Sequence, residues 1–317
     1  MRLTFIFIDG VGLGGQESNN PFVYMDTPGL SNLLEGKRFT KRADGHTGSR
    51  ASLLSLDATL GIDGLPQSAT GQASIFTGKN APAFLGRHLR GFPNNSLRKL
   101  IADKSLFKQL KQLGYRVVFA NAYRPPFFEL LRRGLPGSRY SCSTLITYYG
   151  DLPFYSLEDI KAGRALYMDI TNEILQRMHF DVPLLTPEQG AKQLVDISRK
   201  FDFCLFEYFL SDLAGHLADS TESGAVVNKL DQFIGSLAHQ IDPDEEMLIV
   251  TSDHGNLEDV TRRDHTLNRV PLLMVGDISL RFGWDKALSD LTDLLPMVKK
   301  LLEAGGSDKR LAGEMSN

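Results

Sequence analysis

Short apolar runs recur along the chain at 3–8, 116–120, 203–208, 247–251 and 271–275. Runs this short and uniformly apolar read as strands buried on both faces, since a strand with one wet face alternates. Between them the apolar positions take helical spacing. Ser105 caps a predicted helix whose Leu106, Phe107, Leu110 and Leu113 share a face, and Gly114 ends it. Ser156 with Asp159, and Thr186 with Gln189, have the spacing of capping boxes; Pro187 takes the first helical position of the second. Val226, Val227, Leu230, Phe233, Ile234, Leu237 and Ile241 form a longer stripe, and a last helix is predicted over roughly 285–303. Strands alternating with helices need crossover connections. The pattern therefore predicts an α/β fold whose mostly parallel sheet is covered on both faces.

Two stretches break the alternation. Residues 10–67 are rich in Gly, Asn, Ser and Asp, and only a short helix after Thr27-Pro28 is predicted there. Residues 122–185 hold Pro125-Pro126, Arg132-Arg133 and many tyrosines between two core strands. Long insertions between sheet elements are usually lids or functional loops. With no repeat and no linker-like shift in composition, 1–317 reads as one domain and 122–185 as a small cap inserted in it.

Composition narrows the classes. With 42% hydrophobic residues there is enough apolar surface to offset chain entropy, which excludes a wholly disordered chain. A formal charge of −3 lacks the basic surplus of a nucleic-acid or membrane-surface binder. No uncharged apolar stretch approaches ~18 residues, so no membrane span is expected. The two cysteines, Cys142 and Cys204, offer no disulfide framework, and Cys204 within Phe203-Cys204-Leu205-Phe206 reads as a buried small hydrophobe. The chain runs straight into its first strand without signal-peptide flanks. A reducing, cytoplasmic setting is the expectation.

The candidate chemistry lies just after the strands, where parallel α/β sheets bind ligands. Asp9-Gly10 follows the first run. Ser211-Asp212-Leu213-Ala214-Gly215-His216 follows the third, with an Asp and a His four residues apart, able to chelate one cation from a helical turn. Thr251-Ser252-Asp253-His254-Gly255-Asn256 follows the fourth, and His265 precedes the fifth. Each alone could be a turn or capping residue. Together, three Asp and three His without a thiolate suit a site for two divalent ions, Mn²⁺ or Zn²⁺. Leu65-Pro66-Gln67-Ser68-Ala69-Thr70-Gly71-Gln72 opens a small-residue helix ending at Gly78. A serine at its start would sit in the positive end of the helix dipole, which favours an alkoxide or a phosphate; simple capping by Ser68 or Thr70 is the alternative.

In this combination and order the motifs resemble the alkaline phosphatase superfamily, most of all its branch of cofactor-independent phosphoglycerate mutases and phosphopentomutases. In that branch the nucleophile lies three residues before a Gly, and a small residue followed by Gly ends the helix; Ser68, Gly71 and Thr77-Gly78 match this. Asp26-Thr27-Pro28-Gly29-Leu30 and Leu291-Thr292-Asp293-Leu294-Leu295-Pro296 resemble two further family segments, while 79–200 matches loosely. The resemblance implies a three-layer α/β/α sandwich of alkaline phosphatase type. It implies one metal on Asp212, His216 and His265, and another on Asp9, Asp253, His254 and the oxygen of Ser68. It also implies metal-dependent phosphoryl transfer through a phosphoserine intermediate.

Departures from the family shape the expected activity. The large inserted domain of the phosphoglycerate mutases and its arginine motifs have no counterpart here. The x-Pro-x-Arg that follows a sulfatase nucleophile is replaced by Ala69-Thr70-Gly71-Gln72, and the Asn of the nucleotide pyrophosphatases by Gly71. Hydrolysis of a small phosphorylated metabolite is the leading expectation, and a phosphomutase the alternative. A non-catalytic metal-binding scaffold is disfavoured because Ser68 and every ligand position are filled. Arg87, His88 and Arg90 are candidate substrate-binding residues, since Arg fits phosphate with a bidentate fork. Tyr123-Arg124 and Arg132-Arg133 are weaker candidates, and Tyr148-Tyr149 with the other cap aromatics read as packing rather than as a sugar platform.

Overall fold

The computed structural model describes residues 1–134 and 139–314, with 305–314 described by backbone alone. Seven strands form one sheet: β1 (Arg2–Ile8), β2 (His46–Thr47), β3 (Ala51–Leu56), β4 (Val117–Phe119), β5 (Phe203–Tyr208), β6 (Glu246–Thr251) and β7 (Val270–Val275), in the order β2-β3-β7-β6-β1-β5-β4. β4, β5, β1 and β6 pair in parallel, and β7 runs antiparallel to β6 and to β3. The sheet is therefore mostly parallel in strand direction, with β7 and the short β2 reversed.

The five apolar runs all became strands. β3 was not foreseen, because Ser52 and Ser55 interrupt its apolar pattern. Ser52 is nevertheless buried, since its hydroxyl accepts a hydrogen bond from the buried Arg281 guanidinium at 2.7 Å. That donor comes from 229 residues away. No local signal reveals it.

Side chains alternate through β1 into two cores. Leu3, Phe5 and Phe7 pack on one side; Ile6 and Ile8 pack on the other. Along the chain come α1 (Pro21–Tyr24), α2 (Pro28–Leu33), α3 (Ser68–Thr77), α4 (Ala81–Leu85), α5 (Asn95–Lys104) and α6 (Leu106–Gln112). α3, α5 and α6 join the first core through Phe76, Leu97, Ile101 and Phe107, as α2 joins the second through Leu30 and Leu33. Ser105 caps α6 as expected, but Leu113 lies beyond its end and is exposed.

Residues 122–185 carry α7 (Pro125–Arg132), α8 (Cys142–Tyr149), α9 (Leu157–Lys161) and α10 (Glu173–Arg177). Ala122, Ile160, Ala165, Tyr167, Leu175 and Val182 form a small core of their own. α8 differs from its neighbours, because Leu145 and Ile146 join the first main core. Both expected capping boxes are present, at α9 and at α11 (Pro187–Ser198). α12 (Leu210–Leu217) follows β5 directly. α11 and α13 (Ser220–Gln240) cover the second face through Leu194, Val227, Leu230 and Phe233.

After α14 (Ile278–Arg281), the last helix, α15 (Leu294–Glu314), begins later than predicted. An Asp290–Asp293 capping box sets a 3-10 turn at Leu291–Asp293, and the helix continues from there. No helix among the described residues is long and apolar enough to cross a membrane.

Candidate active site

The carboxyl ends of β1, β5 and β6 deliver the acidic residues to one place. Asp9 follows β1, and its N–H is held by the Tyr208 carbonyl of β5 at 2.9 Å. Asp212 and His216 share a face of α12, with His216 Nε2 3.3 Å from Asp212 Oδ2. Asp253 and His254 follow β6 and are fully buried, and His265 arrives from the loop before β7. Gly10 permits this convergence. Its φ is +71°, and a Cβ there would sit 2.7 Å from Asp212 Oδ1.

Ser68 begins α3, where the first N–H groups have no helical partner. Its Oγ lies 3.0 Å from His254 Nε2. The Gly three residues on has a steric purpose: a Cβ on Gly71 would stand 2.8 Å from the Asp253 carbonyl. The close approach of α3 to the acidic loop thus depends on glycine at 71.

The donors gather into two sets. Atoms of Asp212, His216 and His265 lie within 4.8 Å of one another, and so do atoms of Asp9, Asp212 and His254. Asp212 serves both sets. Asp253 Oδ2 stands 3.7 Å from His254 Nε2, and Asp253 Oδ1 accepts a hydrogen bond from Gly10 N at 3.3 Å.

These residues fit divalent cations by their hydrogen bonding. His216 Nδ1 donates to the Arg263 carbonyl at 2.6 Å, His254 Nδ1 to Gly255 at 3.3 Å and His265 Nδ1 to Pro66 at 2.7 Å. A carbonyl only accepts, so each Nδ1 carries a proton, and Nε2 is left as the atom that each ring can offer to a cation. Asp9 Oδ1, 3.2 Å from His254 Nε2, and Asp253 Oδ2 are buried with no other partner among the described residues than the neighbouring imidazole. A buried carboxylate left in this state is costly unless a cation satisfies it.

The electrostatics record the same strain. Burial and the nearby Asp253 push the Asp9 carboxyl up to about 8. Burial opposes a charge on His254, but Asp253 and Asp9 outweigh it and push the imidazole up to about 10. Burial and His254 push His265 down to about 4.

Several supporting residues had escaped the motif reading. Gln72 Nε2 donates to Asp9 Oδ2 at 3.1 Å, and Asn256 Nδ2 to Asp212 Oδ1 at 2.8 Å. The buried Glu258 accepts from Gly12 N and Asn256 N, each at 2.8 Å, and from Asn268 Nδ2 at 3.0 Å and Thr266 Oγ1. It thereby ties the loops after β1 and β6 to the one before β7. The available signals were a polar residue inside the apolar α3 and a second acid soon after Asp253-His254.

The candidate substrate-binding residues separate. Arg90 is exposed at the rim, 3.8 Å from Asp264, the neighbour of His265. His88 turns away to the Ile62 carbonyl at 3.2 Å, and Arg87 is exposed. Tyr148 and Tyr149 meet edge to face on α8.

Residues 178–295, which include Asp212, His216, Asp253, His254 and His265, match the model of the metalloenzyme superfamily. In fold the chain is similar to the alkaline phosphatase of the Antarctic bacterium TAB5, with a TM-score of 0.53 at 13% identity over 95% of this chain and 98% of that one. The PH0037 protein of Pyrococcus horikoshii gives a TM-score of 0.57 at 14% identity over 95% and 96%. The fold is thus of alkaline phosphatase type, as the motifs implied. Within it the chain resembles the 2,3-bisphosphoglycerate-independent phosphoglycerate mutase of Thermococcus kodakarensis, 23% identical over 84% of this chain and 69% of that protein.

Proposed function

We propose that this protein is a phosphoryl-transfer enzyme dependent on two divalent cations, with Ser68 as its nucleophile and hydrolysis of a small phosphate ester as its net reaction. The observation that carries the reading is the place of Ser68 Oγ: on the first turn of α3, 3.0 Å from His254 Nε2, beside two sets of inward-facing donors. Asp212, His216 and His265 would hold one ion, and Asp9, Asp253, His254 and Ser68 Oγ the other. Such ions, Mn²⁺ or Zn²⁺, supply Lewis-acid charge that lowers the pKa of a bound hydroxyl and stabilises phosphoryl oxygens. Ser68 Oγ forms a bond to phosphorus as the ester oxygen departs, and water then releases inorganic phosphate from phospho-Ser68. The free N–H groups at the start of α3 face the anion.

Residues 122–185 act in this reading as a small cap, with α8 anchored in the main core. A cap this small leaves water access to phospho-Ser68. The mutase relatives favour a second reading, in which the phosphoryl group returns to another hydroxyl of the same substrate. Turnover of an aryl phosphate with added Mn²⁺ or Zn²⁺, and a phosphopeptide mapping to Ser68, test the proposal. A protein that binds metal but turns over no phosphate ester would be the scaffold alternative.

A further inference from the structure

At the carboxyl ends of β4 and β5 lies a cavity of about 240 Å³. Glu207 and Phe209 form part of its lining and flank Tyr208, whose carbonyl holds the Asp9 N–H. On another side it is bounded by Ser141 and Thr144 at the start of α8. Next to Ser141, Cys142 Sγ lies 3.5 Å from the carbonyl of Ala69, the neighbour of Ser68. The cavity thus adjoins the strand end that holds Asp9 and the start of α8, the helix that packs on the nucleophile's helix.

Its chemistry is specific. A chain of hydroxyls runs from Tyr123 to Thr144 Oγ1 at 2.8 Å, on to Ser141 Oγ at 2.9 Å and to Ser143 Oγ at 2.8 Å. Ser143 Oγ donates to Glu207 Oε2. Glu207 Oε1 has no hydrogen-bond partner among the described residues, although Glu207 is 94% buried, its relative exposure being 6%. Glu207 lines the cavity, and this oxygen is available to a ligand hydroxyl. Tyr123 and Phe127 stack at 4.0 Å and 25° and supply an aromatic wall. The lining has one cation, the exposed Arg124, whose Nη1 lies 3.1 Å from Met178 Sδ.

We propose that this cavity is the leaving-group subsite of the phosphoryl-transfer centre, and that it takes a small, uncharged, polyhydroxylated carbon skeleton such as a polyol or sugar unit. The assignment rests on the phosphoryl-transfer reading above. Hydroxyls both donate and accept, so they can join the Tyr123–Glu207 chain at any point, while carbon faces pack on the aromatic wall. A second anionic group would meet the Glu207 carboxyl instead of a cluster of cations. A cavity of about 240 Å³ has room for a small polyol or sugar unit.

The test compares the Mn²⁺-loaded full chain and Glu207→Gln on 4-nitrophenyl phosphate, glycerol 1-phosphate, ribose 5-phosphate and 3-phosphoglycerate. The wild type should favour the two polyol esters over 3-phosphoglycerate by about tenfold or more in kcat/KM. Glu207→Gln should lower the polyol-to-aryl ratio of kcat/KM about tenfold, chiefly through KM. Preference for 3-phosphoglycerate, or equal losses on aryl and polyol esters, would overturn the subsite.

A second readout needs no turnover. Saturation-transfer NMR with D-ribose as the probe should show contact with the Zn²⁺-loaded wild type that is lost in Glu207→Gln and in Phe127→Ala. Absence of contact in the folded wild type overturns the subsite. If no ester is turned over, the phosphoryl-transfer reading fails, and the NMR result alone decides whether the cavity binds a polyol.

Discussion

His254 and His265 stack face to face, their ring centroids 3.7 Å apart and their planes 12° from parallel. Rings this close repel when both are protonated, yet as neutral ligands they can serve adjacent cations. Metal analysis of an active preparation should therefore find about two transition-metal ions per chain. Adding Mn²⁺ or Zn²⁺ to stripped protein should raise its Tm, because the folded state alone holds the ligands together; one site at a hundredfold excess over Kd is worth about 2.7 kcal/mol. Asp253→Asn and His254→Ala should abolish activity and remove most of that rise. Full activity in a metal-stripped sample would sink the dinuclear reading.

Ser68→Ala should remove the covalent step and lower kcat/KM by at least about a thousandfold, or ~4 kcal/mol of transition-state stabilisation. The variant should keep the wild-type metal content of the Asp212, His216 and His265 set. A phosphopeptide trapped from the wild type should map to Ser68; phosphate on Thr70 or Ser74 would show that another hydroxyl is attacked.

Glu258→Gln places an amide N–H₂ against donors that need an acceptor, among them Gly12 N and Asn256 N. The expected loss of stability is about 1–3 kcal/mol. Because Glu258 positions the loops that carry the ligands, metal affinity should also fall about 10–100-fold. Isothermal titration with Zn²⁺ and a denaturation midpoint together check this. Unchanged metal affinity would limit Glu258 to a structural role.

Burial pushes the Glu207 carboxyl up to about 7 from an ordinary value of 4.5. Between those values the folded state binds more protons than the unfolded state, so this group's contribution to stability falls as pH rises through the window. At 1.36 kcal/mol per unit the whole span is of order 3 kcal/mol. Glu207→Gln cannot ionise, so its stability relative to wild type should increase from pH 5 to pH 8. A difference between the two proteins that stays constant with pH would refute the shifted carboxyl.

Supplying sugar phosphates and phosphoglycerates, and comparing free phosphate with isomerised product, separates hydrolase from mutase. Free phosphate should dominate, because a small cap excludes water from phospho-Ser68 less well than a closing second domain would. Isomer accumulating with almost no free phosphate would replace hydrolysis by the mutase reading.

What the chain's own pattern determined was whatever depends on neighbours in sequence. Continuous apolar runs foretold the main strands, because a strand covered on both faces has no wet side to encode. The capping boxes at Ser156 and Thr186 were legible because both partners lie within one helical turn. The candidate ligand positions were legible because all but His265, which precedes β7, follow a strand end, and together they repeat a known order. Tertiary structure decided everything that needs a distant partner. β3 escaped notice because Arg281 makes Ser52 buriable. The sharing of Asp212 between two donor sets follows from the convergence of three strand ends on one point. The cavity beneath Tyr123 depends on Glu207, Ser143 and Phe127 meeting from separate elements, and no local spacing records that hydroxyl chain.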